Sequence, residues 1–388
     1  MKIIHISASY KPAYLYGGPI LSVAKLCETL VKYSPCEIEV FTTTANGKEE
    51  LMLAAGQPII VDEVKVRYFK RLTKDHTHFS PALLKALRKE ILDNKAANKA
   101  MVVHIHAWWN LVSVLSCWVA KWYNVPVVLS PRGMLTAYSF NNRNNTAKKL
   151  IHALIGKKLL QYCHIHATSE KEKKDILQLI HPKTIEVIYN LINYQKSTIA
   201  PSDAVWPDNS VFKLIFLSRI EEKKGLELLF QALARFPVSW KLSIAGRGET
   251  DYIRQLKNDS IRLNIDKRIT WLGQIDNEAK FELFKAHDLM VLTSYNENFA
   301  NVVIESLSAG TPVLISEQVG LSDYVELKNL GWITGLEIEN ISCTLNEAFN
   351  NQQKRAEIRA KAPELIDHDF NPSVLIKQYV KLYSKISS

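Results

Sequence analysis

Tyr295-Asn296-Glu297-Asn298-Phe299-Ala300-Asn301-Val302-Val303-Ile304-Glu305 is the stretch on which the reading of the fold turns. It follows a short apolar run, Asp288-Leu289-Met290-Val291-Leu292-Thr293-Ser294, with the length and composition of a buried strand. It leads into Ser306-Leu307-Ser308-Ala309-Gly310, which reads as helix. A strand, a polar turn and a helix in that order put the turn at the carboxyl edge of a parallel sheet, where open α/β folds bind their ligands. Glu297 falls in the turn and Glu305 in the helix. With a fully helical path between them, the carboxylates stand about 12 Å apart along the axis. That span suits one ligand touched at two ends, with the free N–H groups of a helix start between them for an anion. A pair of Glu at this spacing is common by chance, so it gains weight only from basic partners at neighbouring strand ends.

Composition supports a two-domain α/β chain. The 388 residues exceed one ordinary core, and roughly 100–200 residues per domain gives two. We expect one domain over 1–195, a second over 196–370, and a closing helix over 371–388. Ser197 to Ser210, with Pro201, Asp203, Pro207 and Asp208, reads as the linker. The 47% apolar content excludes a disordered chain. Five scattered cysteines without a CxxC spacing argue for a reducing compartment and against a disulfide frame or a zinc site. The apolar run at the start is too short for a signal peptide, and Lys121 breaks the best membrane-spanning candidate, Leu111 to Leu129. The expected location is therefore cytoplasmic.

The net charge of +10 is unevenly spread. Residues 1–190 hold 26 Lys and Arg against 14 Asp and Glu, leaving 23 against 25 for the remainder. Between Asp93 and Glu170 no acidic residue occurs. The first half is thus built to face an anion, and a peripheral contact with anionic membrane is expected from charge alone.

In chain order, residues 2–7 form a strand, Ser9 to Pro19 a loop carrying Gly17-Gly18, and Ile20 to Val31 a helix, a sequence that lets backbone approach a phosphate. Glu37 to Thr43 and Val64 to Phe69 are further strands. Ser80 to Asn94 is a helix with Leu83, Leu84, Leu87 and Leu92 as its apolar members. In the strand Met101 to His106, His104 reads as a core residue. His106, at the carboxyl end, is equally a core residue or a ligand contact, and Trp108 and Trp109 wall a cleft or simply pack. Val125 to Ser130 is a strand with the exit Pro131-Arg132-Gly133-Met134. A polar Asn-rich segment follows over 138–146, then a basic helix over 147–161. His164 to Thr168, Glu170 to Leu179 and Ile185 to Tyr189 complete this half. A second βα series begins at Phe212, and Pro372 to Ile386 forms a last helix with Leu375, Ile376, Tyr379, Leu382 and Tyr383 on one side.

The chemistry gathers at strand exits of the second series. Arg219 and Lys224 follow its first strand, with Gly225 opening a helix. Opposite charges ~4 Å apart are worth about 4 kcal/mol at the effective dielectric of a partly open site, so two cations suffice to steady a departing diphosphate. Glu221, Glu222 and Lys223 read as a solvated helix start. Gly246-Arg247-Gly248 and Gly273-Gln274 stand at the next exits, as ligand approaches or plain turns. Glu305 is placed to accept from a ribose diol and Glu297 from a sugar hydroxyl, since a carboxylate offers two acceptors in one plane.

Taken together, Arg219 with Lys224, Gly246-x-Gly248, and Glu297-x7-Glu305 followed by Ala309-Gly310-Thr311-Pro312-Val313 resemble the retaining glycosyltransferase family 4 pattern. Gly17-Gly18, Val103-His104-Ile105-His106 and Ala167-Thr168-Ser169-Glu170 resemble its first domain. The resemblance implies the GT-B architecture: two Rossmann-like domains facing across a cleft, the last helix crossing back to the first. It also implies a UDP- or GDP-sugar donor, no cofactor and no metal. Arg219 and Lys224 would contact the diphosphate and Glu305 the ribose. Glu297 and the backbone of Asn298, Phe299 and Ala300 would meet the sugar, Gly17 and Gly18 the phosphates, His106 the sugar, and Gly246 and Gly273 the donor. Three departures stand out: Asn190-Leu191 replaces the usual Asn-Gly, Val319-Gly320-Leu321 replaces a Gly-Gly, and Asp367-His368-Asp369 reads as a loop. Ser130-Pro131-Arg132-Gly133-Met134 resembles a subset acting in bacterial surface-polysaccharide assembly. The expected acceptor is a glycan, carried on a lipid diphosphate. Two rivals are a nucleotide-sugar epimerase of the same fold and a basic nucleic-acid-binding protein; the second is disfavoured because no aromatics interleave the basic residues.

Overall fold

The computed structural model describes residues 1–16, 18–136, 156–194, 211–276 and 279–387. Gly17, the Asn-rich segment 138–146, the first part of the basic stretch 147–161 and the linker 197–210 lie outside the described residues. The chain divides into two compact units, Met1–Ile192 with Phe370–Ser388, and Asn193–Asp369. The first division falls at 192/193 because Tyr194 already belongs with the second unit, its hydroxyl donating to Asp367 Oδ1 at 2.8 Å. Phe370 stacks on Tyr189 of the first unit with ring centroids 5.0 Å apart.

The strands of the first unit are β1 (Lys2–Ile6), β2 (Glu37–Thr43), β3 (Ala45–Asn46), β4 (Glu49–Glu50), β5 (Pro58–Val61), β6 (Val64–Phe69), β7 (Met101–His106), β8 (Val127–Ser130), β9 (His164–Ala167) and β10 (Thr184–Val187). Eight of them make one sheet in the order β10-β9-β8-β7-β1-β2-β6-β5, parallel except for the β5–β6 edge. The order reverses between β1 and β7, which defines a switch point at their carboxyl ends. Every residue of β1 and β7 is buried, as expected of parallel strands covered on both faces. One face is covered by the helix Gly18–Tyr33 together with the last helix, Pro372–Ser387. The latter buries Leu375, Ile376, Tyr379, Leu382 and Tyr383 into the same core as Val23, Leu26 and Leu30. The other face is covered by helices Pro81–Ala96 and Leu111–Trp122.

Two features depart from the sequence reading. Helix Leu111–Trp122 was weighed only as a membrane segment, yet Asn110 caps it by accepting from Ser113 N. In helix Pro81–Ala96 the inward members are Leu83, Leu87 and Ile91, whereas Leu92 is exposed. At the amino edge of the sheet the fully buried Glu39 is held by Lys2 Nζ at 3.0 Å and Arg67 Nε at 2.7 Å, so this buried charge is answered locally.

The second unit contains β11 (Phe212–Leu217), β12 (Trp240–Ala245), β13 (Ile269–Gly273), β14 (Leu289–Leu292), β15 (Val313–Ser316) and β16 (Gly331–Thr334). They form an all-parallel sheet in the order β13-β12-β11-β14-β15-β16, reversing between β11 and β14. Asp367, His368 and Asp369 close the helix Gln352–Asp369 and are not a loop. Asp369 is paired with Lys328 at 2.8 Å and accepts from the Tyr324 hydroxyl at 3.0 Å, which accounts for it by packing. Among the described residues no helix is long and apolar enough to cross a membrane.

Candidate active site

The loops after β11 and β14 meet at the switch point of the second sheet, and the sequence reasons for it are local. Gly225 takes φ +65°, and a Cβ there would stand 2.2 Å from the Thr293 carbonyl oxygen, so only glycine lets the two exits touch. Thr293 Oγ1 donates to the Gly225 carbonyl at 2.9 Å, and Tyr295 N donates to the Lys223 carbonyl at 2.9 Å. This stitching brings the buried ammonium of Lys224 onto Glu297 Oε2 as an ion pair. Two of the residues singled out from sequence therefore hold each other. Arg219 is more exposed than its place after a buried strand implies, and donates from Nη1 to Glu221 Oε1 at 2.7 Å.

The path from Glu297 to Glu305 is not fully helical. The helix is Asn301–Ser308, and its N-cap, Ala300, lies in the left-handed region at φ +65°. A non-glycine residue held there costs of order 1 kcal/mol and marks a place where the chain is bent for a purpose. The bend sets the start of this helix at the sheet edge, and a helix start carries N–H groups without intrahelical partners that suit an anion. Phe299 is buried beneath it. Glu305 is engaged by Lys280 Nζ at 2.7 Å, a residue sequence reasoning missed because it arrives from the separate helix Ala279–Lys285.

The glycines divide. A Cβ at Gly246 would stand 1.8 Å from the Ser218 carbonyl oxygen, so close loop packing requires that glycine without any ligand. Gly273, at φ +68°, faces open space and leaves room for one.

In the first unit Gly18 is the first residue of the helix Gly18–Tyr33, two residues before the start expected at Ile20. His106 ends β7 but is 1% exposed, with both ring nitrogens engaged: Nε2 lies 2.9 Å from His5 Nδ1, and Nδ1 accepts from Arg132 Nε at 3.4 Å. Trp108 is fully buried core; Trp109 donates to the Met134 carbonyl at 2.6 Å.

Beside His106 runs a hydrogen-bond chain whose direction can be read from its ends. The Ile188 carbonyl can only accept, so His166 donates from Nε2 at 2.8 Å and accepts at Nδ1 from Ser130 Oγ. Ser130 in turn accepts from His104 Nε2 at 2.7 Å, and His104 Nδ1 accepts from the Tyr383 hydroxyl at 2.7 Å. Every imidazole in the chain is neutral. Burial, then the Arg132 charge, holds His5 down to about 3; burial holds His166 to about 3, and His104 and His106 well below the ordinary range. The nitrogens of His5, His104 and His106 lie within 4.8 Å of one another, a spacing compatible with a metal. Both nitrogens of His104 are already committed and Arg132 sets a cation on His106, so the cluster suits neutral imidazoles instead. The sequence did carry a signal for this network, the His-x-His that ends β7 and recurs in β9.

Two largely parallel sheets, each with polar groups gathered at its switch point, define a pair of doubly wound α/β units of the kind that binds ligands at that point. The description Glycosyltransferase Family 4 matches residues 16–196, and Glycosyl transferases group 1 matches residues 205–365. The chain belongs to these glycosyltransferases and has their GT-B fold. It is 23% identical to an uncharacterized glycosyltransferase of Methanocaldococcus jannaschii, covering 99% of this chain and 98% of the relative. It is 23% identical to a D-inositol 3-phosphate glycosyltransferase of Jonesia denitrificans over 89% of this chain and 86% of the relative. Among solved structures, Anabaena HepE in complex with UDP and glucose is similar with a TM-score of 0.72 and 20% identity, over 99% of this chain and 100% of that one.

Proposed function

We propose that this glycosyltransferase moves a hexose-type sugar from a UDP- or GDP-sugar, with retention and without a divalent ion, to a glycan acceptor carried on a lipid diphosphate. The observation that carries the reading is the joined exit of β11 and β14: Lys224 on Glu297, with the bent helix start at Ala300 beside them. On donor binding, Lys224 and Arg219 take the diphosphate oxygens and stabilise the charge that develops on the leaving group. Glu297, released from Lys224, accepts from a sugar hydroxyl, and Glu305, steadied by Lys280, accepts from the ribose diol. Attack on the leaving-group face needs no side-chain base, which agrees with the lack of carboxylates between Asp93 and Glu170. The UDP in the HepE structure supports a uridine donor. The basic first half supports an anionic acceptor at the cytoplasmic face of a membrane, and the Ser130 to Met134 exit supports a role in surface-polysaccharide assembly.

Thermal shift across a panel of nucleotide sugars, with and without chelator, tests this. One donor should raise the transition equally in both, and Arg219→Ala and Glu305→Ala should abolish the rise; an unchanged rise in both variants puts the donor elsewhere. An NMR time course that shows an altered nucleotide sugar without acceptor would favour the epimerase.

A further inference from the structure

Arg132 differs from the two buried cations of its own unit, Lys2 and Arg71, each of which holds a carboxylate. Arg132 has none within ion-pairing distance among the described residues. Its Nη1 donates to two neutral oxygens, Ser22 Oγ at 2.9 Å and Asn190 Oδ1 at 3.1 Å. Its other edge, Nε and Nη2, converges on the single nitrogen His106 Nδ1 at 3.4 and 3.5 Å. Two parallel donors are the guanidinium's fork for the paired oxygens of a carboxylate or phosphate, and here they share one long-range neutral acceptor. The carboxylate that acts on Arg132 electrostatically, Glu172, is spent elsewhere: it accepts from Thr168 N at 2.7 Å, Thr168 Oγ1 at 2.8 Å and Gly133 N at 2.7 Å.

The setting is costly and well placed. Arg132 and Gly133 are successive residues in the left-handed region, at φ +53° and φ +79°, a sharp exit from β8 that for an arginine is strained. The guanidinium's neighbours Ser22, His106 and Asn190 are all buried, and burial disfavours its charge. Arg132 reaches from the end of β8 to the end of β7 and to the helix after β1, which is the switch point of this sheet. A second donor lies close by. Because Arg132 donates to His106 Nδ1, His106 carries its proton on Nε2 and gives it to His5 Nδ1. His5 is then protonated on Nε2, a buried N–H with no partner.

We infer that the Nε and Nη2 edge of Arg132 seats an anionic group, phosphate or carboxylate, of the acceptor that the first unit binds. This rests on the proposed function and adds what the acceptor must carry and where. An oxygen pair on that edge takes both N–H groups and frees His106 Nδ1 to accept from a substrate hydroxyl, so anion binding and positioning of a sugar hydroxyl are coupled.

The test uses the full chain with ¹⁵N-labelled histidine, held in saturating UDP at constant ionic strength and titrated with inorganic pyrophosphate, then with acetate. The ring signals of His106 and His5 should move saturably with pyrophosphate while His287 of the second unit stays still. Arg132→Lys should weaken the response at least tenfold and Arg132→Met should remove it. The inference is overturned if wild type shows no saturable shift, a result that needs no variant to fold, or if Arg132→Met responds like wild type. It is also overturned if the shift appears without UDP and vanishes once UDP is present, which makes Arg132 a contact for the donor's phosphates. Failure of the proposed function reads separately, as loss of the nucleotide-sugar thermal shift with the His106 response intact.

Discussion

The two sheets share a topology in outline and fill their switch points with opposite chemistry. In the first unit the centre is a file of neutral imidazoles, hydroxyls and one arginine whose protons run in a defined direction. In the second it is two ion pairs, Lys224 with Glu297 and Lys280 with Glu305. Neutral hydrogen-bonded groups satisfy one another, and what they leave over in the first unit is the Arg132 edge and the His5 Nε2 N–H. A half-buried ion pair pays desolvation on both partners and exchanges readily for a ligand that offers the same charges. On the proposed function, the contrast suits the first centre to orienting a substrate and the second to gripping and releasing a charged donor.

Acid should break the comparison most strongly. His5 and His166 sit near 3 when folded against about 6.5 unfolded, and His104 and His106 are also depressed. The unfolded chain therefore binds more protons across that window, so stability is complete above about pH 6.5 and lost as pH falls. Each imidazole that stays neutral costs about 1.4 kcal/mol per pH unit. Hydrogen exchange by mass spectrometry, corrected for intrinsic rate, should show β7 and β8 opening between about pH 6 and pH 4 well before β11 and β14, where His287 is the one group of this kind among the described residues. Equal loss of protection in both sheets would erase the distinction.

Next in size, Lys224→Met should lower kcat/KM for the donor by about 10²–10³-fold, the loss typical of one preorganised charge donor, with β7 and β8 unaffected. A change under threefold in steady-state kinetics would make the Lys224 to Glu297 pair structural. Tyr383→Phe removes the hydroxyl that feeds His104 Nδ1 and leaves a buried acceptor, at a cost of about 1–3 kcal/mol by denaturant unfolding. A cost near zero would mean that the chain direction is wrong. The smallest effect belongs to Ala300→Gly, which relieves the left-handed cap and should stabilise by up to about 1 kcal/mol; a loss of stability would show that Ala300 is packed and not strained.

The sequence showed much of this for physical reasons that differ between elements. Parallel strands buried on both faces read as short apolar runs, so β2, β6 and β7 were found with their ends in place. The last helix showed its inward face because Leu375, Ile376, Tyr379, Leu382 and Tyr383 keep helical spacing. Glu297 and Lys224 were legible as members of a strand-exit set, yet their pairing was not, since it depends on Gly225 touching Thr293 across two strands. Lys280 escaped, and Arg132 was legible only as part of a strand exit and not by its partners, for the same reason: each acts on a residue far along the chain, and no local period records that. Gly246 shows the limit of such reading, because a glycine needed by a neighbouring carbonyl looks the same in sequence as one needed by a ligand.

Tyr379 and Tyr383 have a consequence for biosynthesis. They are supplied by Pro372–Ser387, which the ribosome reaches only after the whole second unit. Until then the helix Gly18–Tyr33 lacks its packing partner, and His104 and His166 lack their tyrosines. The unit made first is thus finished last, and a nascent chain stalled before residue 372 should stay open to proteases on the very face that the complete enzyme keeps driest.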